Sequence, residues 1–286
     1  MRRALFALMA FAMCSAAQAI DFGKIIDLGK KAVDTNKEAF KEFSQDDEVQ
    51  IGNAATAGFL GAAPLHADAN LQRYVNRVGK WLALHTDRPD LPWTFSVIDT
   101  ETVNAFALPG GSILISSGLL KRLGSESELA GVLAHEIAHV VKRHQITAIQ
   151  SAARGNLAKS LGSEIASDKW RGGGIAGQAL KPFAINLAAD LLKDGFFLRP
   201  LDRGLEYEAD QLAIVIATRS GYDPYGLVGA LQMLAQFRGE GDAASVFATH
   251  PAPADRLGEL ERFIPTVEQY AKQPQVLEAR YRQIVK

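Results

Sequence analysis

Hydrophobic positions along this chain change period several times, and each change marks an element. From Leu129 to Val141 the apolar residues run all round a helical cylinder, broken only by His135, Glu136 and His139. Ser125-x-x-Glu128 upstream is a capping box, which predicts a helix start there. A helix that is apolar on every side belongs in a core. Trp93–Ile98 alternates in the manner of a strand, and Ser112–Ser116 is a short β-rich run behind the turn Pro109-Gly110-Gly111. A second helical run extends from Leu205 to Ala217 and stops at Gly221. Asp223-Pro224 predicts another helix start, and the tail from Pro253 to Lys286 reads as mostly helical. Residues 20–43 read as an amphipathic helix with Ile25, Leu28, Ala32 and Ala39 inward.

The polar interruption of the greasy helix carries chemistry. An unpaired carboxylate and two imidazoles are costly to bury. A divalent metal resolves the conflict, because His135 and His139 stand at i and i+4 and project from one face. Glu136 lies beside that face, close enough to act on a water that the metal activates. This is the zincin pattern, two histidine ligands and a glutamate general base. The competing reading has the imidazoles bonded to backbone carbonyls and Glu136 paired with a cation such as Arg143.

A zinc hydrolase needs a third protein ligand and an open position. The extended motif HExxHxxGxxH fails, since Lys142 and Gln145 stand where glycine and histidine would be required. Glu206, in the second helical run, can reach a metal. Asp210, one turn on, can accept a hydrogen bond from the outer nitrogen of a ligand histidine. Glu208 reads as a solvated or salt-bridging residue.

His135-Glu136-x-x-His139 followed by Glu206-Tyr207-x-Ala209-Asp210 resembles the zinc metallopeptidases related to the CAAX prenyl endopeptidase and HtpX, the gluzincins. The likeness is strongest to their soluble periplasmic and outer-membrane-associated branch, of the BepA and LoiP type. Asn104–Gly111 with Ser112–Ser116 resembles the segment before the active-site helix in that branch. Thr249-His250-Pro251 through Arg256-Leu257 resembles its downstream His-Pro…Arg motif. The resemblance spans about residues 50–265. It implies an α+β, zincin-like fold that is predominantly helical, with a small mixed β-sheet, an HExxH helix and a second ligand-bearing helix. It also implies one zinc ion per chain and endopeptidase activity.

Some roles stay open. Asn104–Gly111 is either a strand edge that holds an extended substrate by main-chain hydrogen bonds or a hairpin turn of the core sheet; Asn104 is the candidate substrate contact. His250 could stabilise an oxyanion, could occupy the open metal position and hold the site latent, or could be a loop histidine of no consequence. Arg256 could stabilise the oxyanion or pair with Glu206 or Asp210.

The amino terminus bears on compartment. Arg2 and Arg3 precede an apolar run from Ala4 to Met13, and Ala17-Gln18-Ala19 is an A-x-A cleavage site. This predicts a secretory signal peptide over residues 1–19, hence a periplasmic product. Residues 20–49 would then form an N-terminal helical segment, and 50–286 a metallopeptidase domain with C-terminal helices. Lipid anchoring at Cys14 is the lesser expectation, because Met13 stands where a small residue is needed. The one cysteine lies in the leader, so no disulfide is expected in the mature chain. The formal net charge of −1 and the lack of a basic stripe argue against nucleic acid.

Leu180–Leu198 is apolar but carries Lys181, Asp190, Lys193 and Asp194, which argues against a membrane span. With the glycine-rich stretch 169–177 as hinge, it reads as a lid, a membrane-surface contact or plain packing. No internal repeat is visible, so no tetratricopeptide domain is expected. Two functional classes follow. One is an endopeptidase acting on unfolded or misassembled envelope proteins, with peripheral outer-membrane association. The other is a metal-stabilised chaperone or adaptor that binds such clients without cutting them.

Overall fold

Ser44 caps the first helix of the computed structural model, which describes residues 43–151, 197, 199–236 and 250–285. Its hydroxyl accepts from the Asp47 N–H while the Asp47 carboxylate accepts from the Ser44 N–H, a complete capping box. Helix α1 (Gln45–Ala62) continues past position 50 without a break. The expected leader, the helix over 20–43 and the stretch 169–198 lie outside the described residues, apart from Phe43 and Phe197.

Helix α2 (Ala69–Ala83) leads into a mixed sheet of three strands, β1 (Thr94–Ile98), β2 (Ala105–Leu108) and β3 (Ser112–Ser116). The order is β1-β3-β2, with β1 parallel and β2 antiparallel to β3. Strand β1 falls within the alternating run Trp93–Ile98, and β3 on the β-rich run behind the glycine turn. The Pro109-Gly110-Gly111 turn joins β2 to β3, and both glycines have positive φ, 77° and 100°, a region open mainly to glycine.

Both faces of the sheet are covered, as the alternation of side chains requires. Phe95, Val97, Ala105, Ala107, Ile113 and Ile115 enter the main core on one side. Ile98, Leu108 and Leu114 pack with Ala55 and Phe59 of α1 on the other. The free edge of β1 is closed by side-chain amides from α2. Gln72 accepts from the Val97 N–H and donates to the Val97 carbonyl, and Asn76 accepts from the Phe95 N–H. Beyond β2, no other strand pairs among the described residues.

After the short α3 (Ser117–Leu120) comes the apolar helix α4 (Glu126–Val141). From Glu126 to Val140 every residue except Glu128 is buried. The Ser125 hydroxyl accepts from the Glu128 N–H as the capping box predicts, but the Glu128 carboxylate reaches one residue further back, to the Gly124 N–H. Glu126, fully buried in the first turn, accepts from the hydroxyls of Tyr74 and Tyr222 and from the Arg280 guanidinium. That carboxylate therefore ties α2, α4 and the C-terminal segment together at the positive end of the α4 dipole.

Residues 144–151 turn helical again after α4, and four further helices follow among the described residues: α5 (Arg203–Arg219), α6 (Gly226–Ala235), α7 (Pro253–Glu268) and α8 (Glu278–Ile284). Helix α6 starts two residues after Pro224. Asp223 instead shapes the preceding turn, its carboxylate accepting from the Tyr225 N–H. No helix among the described residues is long and apolar enough to cross a membrane. The predominantly helical α+β class read from the sequence stands, with one small mixed sheet.

Close backbone approach fixes how α6 meets α4. A Cβ on Gly131 would lie 2.4 Å from the Leu227 nitrogen and 2.7 Å from its Cα. Gly131→Ala should therefore push the helices apart and destabilise the protein by about 2–3 kcal/mol. Urea unfolding measures this; an unchanged midpoint would mean the helices slide freely.

Candidate metal centre

Helices α4 and α5 pack directly on one another, and the polar residues of each meet at their interface. The Nε2 atoms of His135 and His139 lie 3.1 Å apart. Each is 3.6 Å from a Glu206 carboxylate oxygen, His135 from Oε2 and His139 from Oε1. All three side chains are buried. Glu206 Oε1 has no hydrogen-bond partner, an expensive condition for a buried carboxylate oxygen. Two converging imidazole nitrogens with an orphaned carboxylate oxygen are the donor set a divalent cation takes. The residues present fit a metal.

His250 completes the group. Its ligand-capable atom lies within 4.8 Å of those of His135, His139 and Glu206. Its Nδ1 sits 2.7 Å from Glu206 Oε2 and its Nε2 4.0 Å from Glu136 Oε1. A loop histidine of no consequence would not stand here; the latent-ligand and oxyanion readings both remain compatible with the position. Glu136 is buried beside the ligands and lines the adjoining cleft with His139, Glu206 and His250. Arg143 does not pair with it; its guanidinium lies on Glu48 and the Phe43 carbonyl.

Behind the ligands, Asp210 Oδ1 is 2.8 Å from His135 Nδ1, where the sequence places it. Arg256 grips the same carboxylate at two points, Nε to Oδ2 at 2.8 Å and Nη2 to Oδ1 at 2.6 Å. The structure shows the pairing with Asp210; Nη2 also lies 3.3 Å from His135 Nδ1, and Arg256 is not among the residues lining the cleft. The pairing explains how an arginine that is 4 % exposed is tolerated there.

Among the protein groups alone, the two imidazoles are displaced in opposite directions. Burial and the Arg256 charge push His135 down, but the Asp210 carboxylate and hydrogen bonds to Asp210 and Glu206 outweigh them and lift it to about 9. Burial, then the His135 charge, push His139 well below its usual range. Burial raises the Glu136 carboxyl. It acts the same way on Glu206, but there the His250 and His135 charges prevail and hold the carboxyl below the usual range. The buried carboxylates around the two rings favour positive charge there, which a bound cation would supply without a proton.

The structure also places Asn104 and Glu208. Asn104, the candidate substrate contact, does not line the cleft. It is 2 % exposed, and its side-chain oxygen accepts from the Ala105 N–H at the start of β2. The next four residues, Ala105–Leu108, line the cleft instead. Within Asn104–Gly111 the structure has an edge strand of the described sheet followed by a hairpin turn. Glu208 is salt-bridged to Lys142 at 2.7 Å and also faces His144. His144, which the motif analysis passed over, has its Nδ1 2.9 Å from His139 Nδ1.

Residues 69–264 match Peptidase family M48. The chain belongs to that family. It is 32% identical over 231 residues to the beta-barrel assembly-enhancing protease of Yersinia pestis, covering 79% of this chain and 46% of that protein. The Escherichia coli (strain K12) protein of the same name is 30% identical over 259 residues, with 89% and 50% covered. A mitochondrial metalloendopeptidase OMA1 of Schizosaccharomyces pombe is 28% identical over 238 residues, with 82% and 66% covered. This M48 chain thus spans about half the length of the assembly-enhancing proteases it matches. The crystal structure of S. mikatae Ste24p aligns at 18% identity and a TM-score of 0.39, over 72% of this chain and 55% of that one.

The Asp210–Arg256 pair generates a prediction. Asp210→Ala leaves the Arg256 charge buried and unpaired, which should lower stability by about 3–5 kcal/mol. Chemical denaturation of the metal-free protein would detect it, and a loss under 1 kcal/mol would show that Arg256 finds water or another partner.

Proposed function

We propose that this chain is a zinc-dependent endopeptidase. The carrying observation is the cluster of His135, His139 and the orphaned Glu206 oxygen between two apolar helices, with Glu136 beside it at the mouth of a cleft. His135 Nε2, His139 Nε2 and Glu206 would hold the metal. When bound, zinc supplies Lewis acidity that activates water and polarises a scissile carbonyl.

The chain's own residues do the rest. Glu136, its affinity for protons raised by burial, takes the proton from the attacking water and delivers it to the leaving amine. Asp210, held by Arg256, orients the His135 ring. Strand β2 has an edge along the cleft that no other strand pairs among the described residues, where an extended polypeptide can add as a further strand regardless of its sequence. Phe106, Phe197 and Leu201 give that cleft an apolar wall, suited to the hydrophobic side chains that unfolded proteins expose.

The expected leader supports a periplasmic location, and the likeness to proteases named for β-barrel assembly supports envelope quality control with unfolded or misassembled proteins as substrates. The alternative of a client-binding chaperone or adaptor is favoured by one observation, the seating of His250 against Glu206 at 2.7 Å. A closed metal position would make the resting protein slow to cut.

Two variants decide between these readings. Glu136→Gln should retain one zinc per chain by metal analysis while casein cleavage falls by about three orders of magnitude or more; wild-type turnover in that variant would sink the peptidase assignment. His250→Ala should raise cleavage if the histidine latches the metal, which is the outcome expected from its contact with Glu206. A fall would assign it to the oxyanion instead.

A further inference from the structure

The two histidines of the metal centre have different partners on their outer nitrogens. His135 faces a carboxylate, Asp210. His139 faces another imidazole, that of His144, which is 3 % exposed and meets it edge to face with ring centroids 5.0 Å apart. Beyond it, His144 Nε2 is 3.5 Å from Glu208 Oε2, and Lys142 Nζ is 2.7 Å from Glu208 Oε1.

We propose that His144 is a positioning residue of the metal centre: a hydrogen-bond acceptor that locks the His139 ring with Nε2 toward the metal, and that is itself oriented by Glu208. The inference rests on His139 being a ligand, as proposed above. An imidazole that coordinates through Nε2 carries its proton on Nδ1 and must donate it. His144 Nδ1, 2.9 Å away, can then only accept. Its own proton falls on Nε2, which points at the Glu208 carboxylate. Each atom of the chain from His139 to Lys142 has one role that satisfies its neighbour.

The acceptor matters because an imidazole ring can turn over. Rotation of the His139 ring by half a turn exchanges Nδ1 with a carbon and Nε2 with a carbon, so the ligand atom would leave the metal. A partner that accepts at Nδ1 stabilises one of the two orientations only. A neutral imidazole does this without adding another buried negative charge to a site that already holds Glu136, Glu206 and Asp210.

The backbone that delivers His144 is unusual in itself. Helix α4 ends at Val141, Arg143 adopts a left-handed φ of 60°, and residues 144–151 turn helical again. A non-glycine residue in that region carries a conformational cost of about 1 kcal/mol. Reversal there swings His144 back behind His139, five residues upstream.

The test compares zinc affinities by chelator competition, together with the visible spectrum of the cobalt(II)-loaded protein. His144→Leu fills the space but cannot accept, and should lose about 10–100-fold in zinc affinity with an altered cobalt band. His144→Asn places an oxygen near the position of Nδ1 and should recover affinity to within about threefold of wild type. Should leucine prevent folding, His144→Met, a flexible apolar side chain, is judged by the same criterion. Wild-type affinity in the apolar variant would overturn the proposal. So would equal losses in the asparagine and apolar variants, since volume and not acceptance would then be at stake. Failure of the ligand reading itself looks different: wild type would bind no zinc, or His139→Ala would bind it unimpaired.

Discussion

Four ionisable side chains, His135, Glu136, His139 and Glu206, are buried where two apolar helices meet, and the surrounding architecture answers the cost of keeping them there. Desolvation forbids leaving them unpaired, so each is drawn into a contact that fixes its position. A cation held between the ring nitrogens would satisfy the inner atoms. The outer atoms are served by neighbours, Asp210 for His135, His144 for His139 and His250 for one Glu206 oxygen. Helix α5 supplies Glu206 to the cluster and both outer carboxylates, Asp210 and Glu208, so its placement against α4 sets the whole centre.

That placement is secured away from the metal. Gly131 lets α6 close on α4 backbone to backbone, and Glu126 gathers Tyr74, Tyr222 and Arg280 at the first turn of α4. The Arg256 of α7 crosses to Asp210 of α5. Elements distant in sequence are therefore tied to the two ligand helices by buried charge, which makes the geometry of the ligands a property of the fold rather than of a flexible loop.

The small sheet serves the centre through its asymmetry. Side-chain amides of Gln72 and Asn76 close the outer edge of β1, so among the described residues the strand edge left for pairing is that of β2, at the cleft. Ala105 and Ala107 face the main core on the same strand that Phe106 and Leu108 anchor to the opposite layer. Short side chains toward α4 bring the strand close to Glu136 without displacing the helix.

Periodicity and spacing were enough to read the helices around His135 and Glu206, the strands at 94–98 and 112–116, and the residues that the fold brings together, His135, Glu136, His139 and Glu206 with Asp210 behind them, because each depends on local chemistry: side chains one turn apart share a face, and buried ionisable groups demand partners. They did not reveal that Asn104 turns back on its own strand, or that Glu128 caps one residue beyond its expected partner. They left the place of Arg256 open between two roles and gave no sign of His144. Arg143 at positive φ carries no sequence signature, since glycine is the residue that ordinarily marks such a turn. The motifs alone determined which atoms could bind and activate. Tertiary structure decided which outer groups hold them, because those contacts join residues from separate helices whose relative placement is a result of packing the whole core.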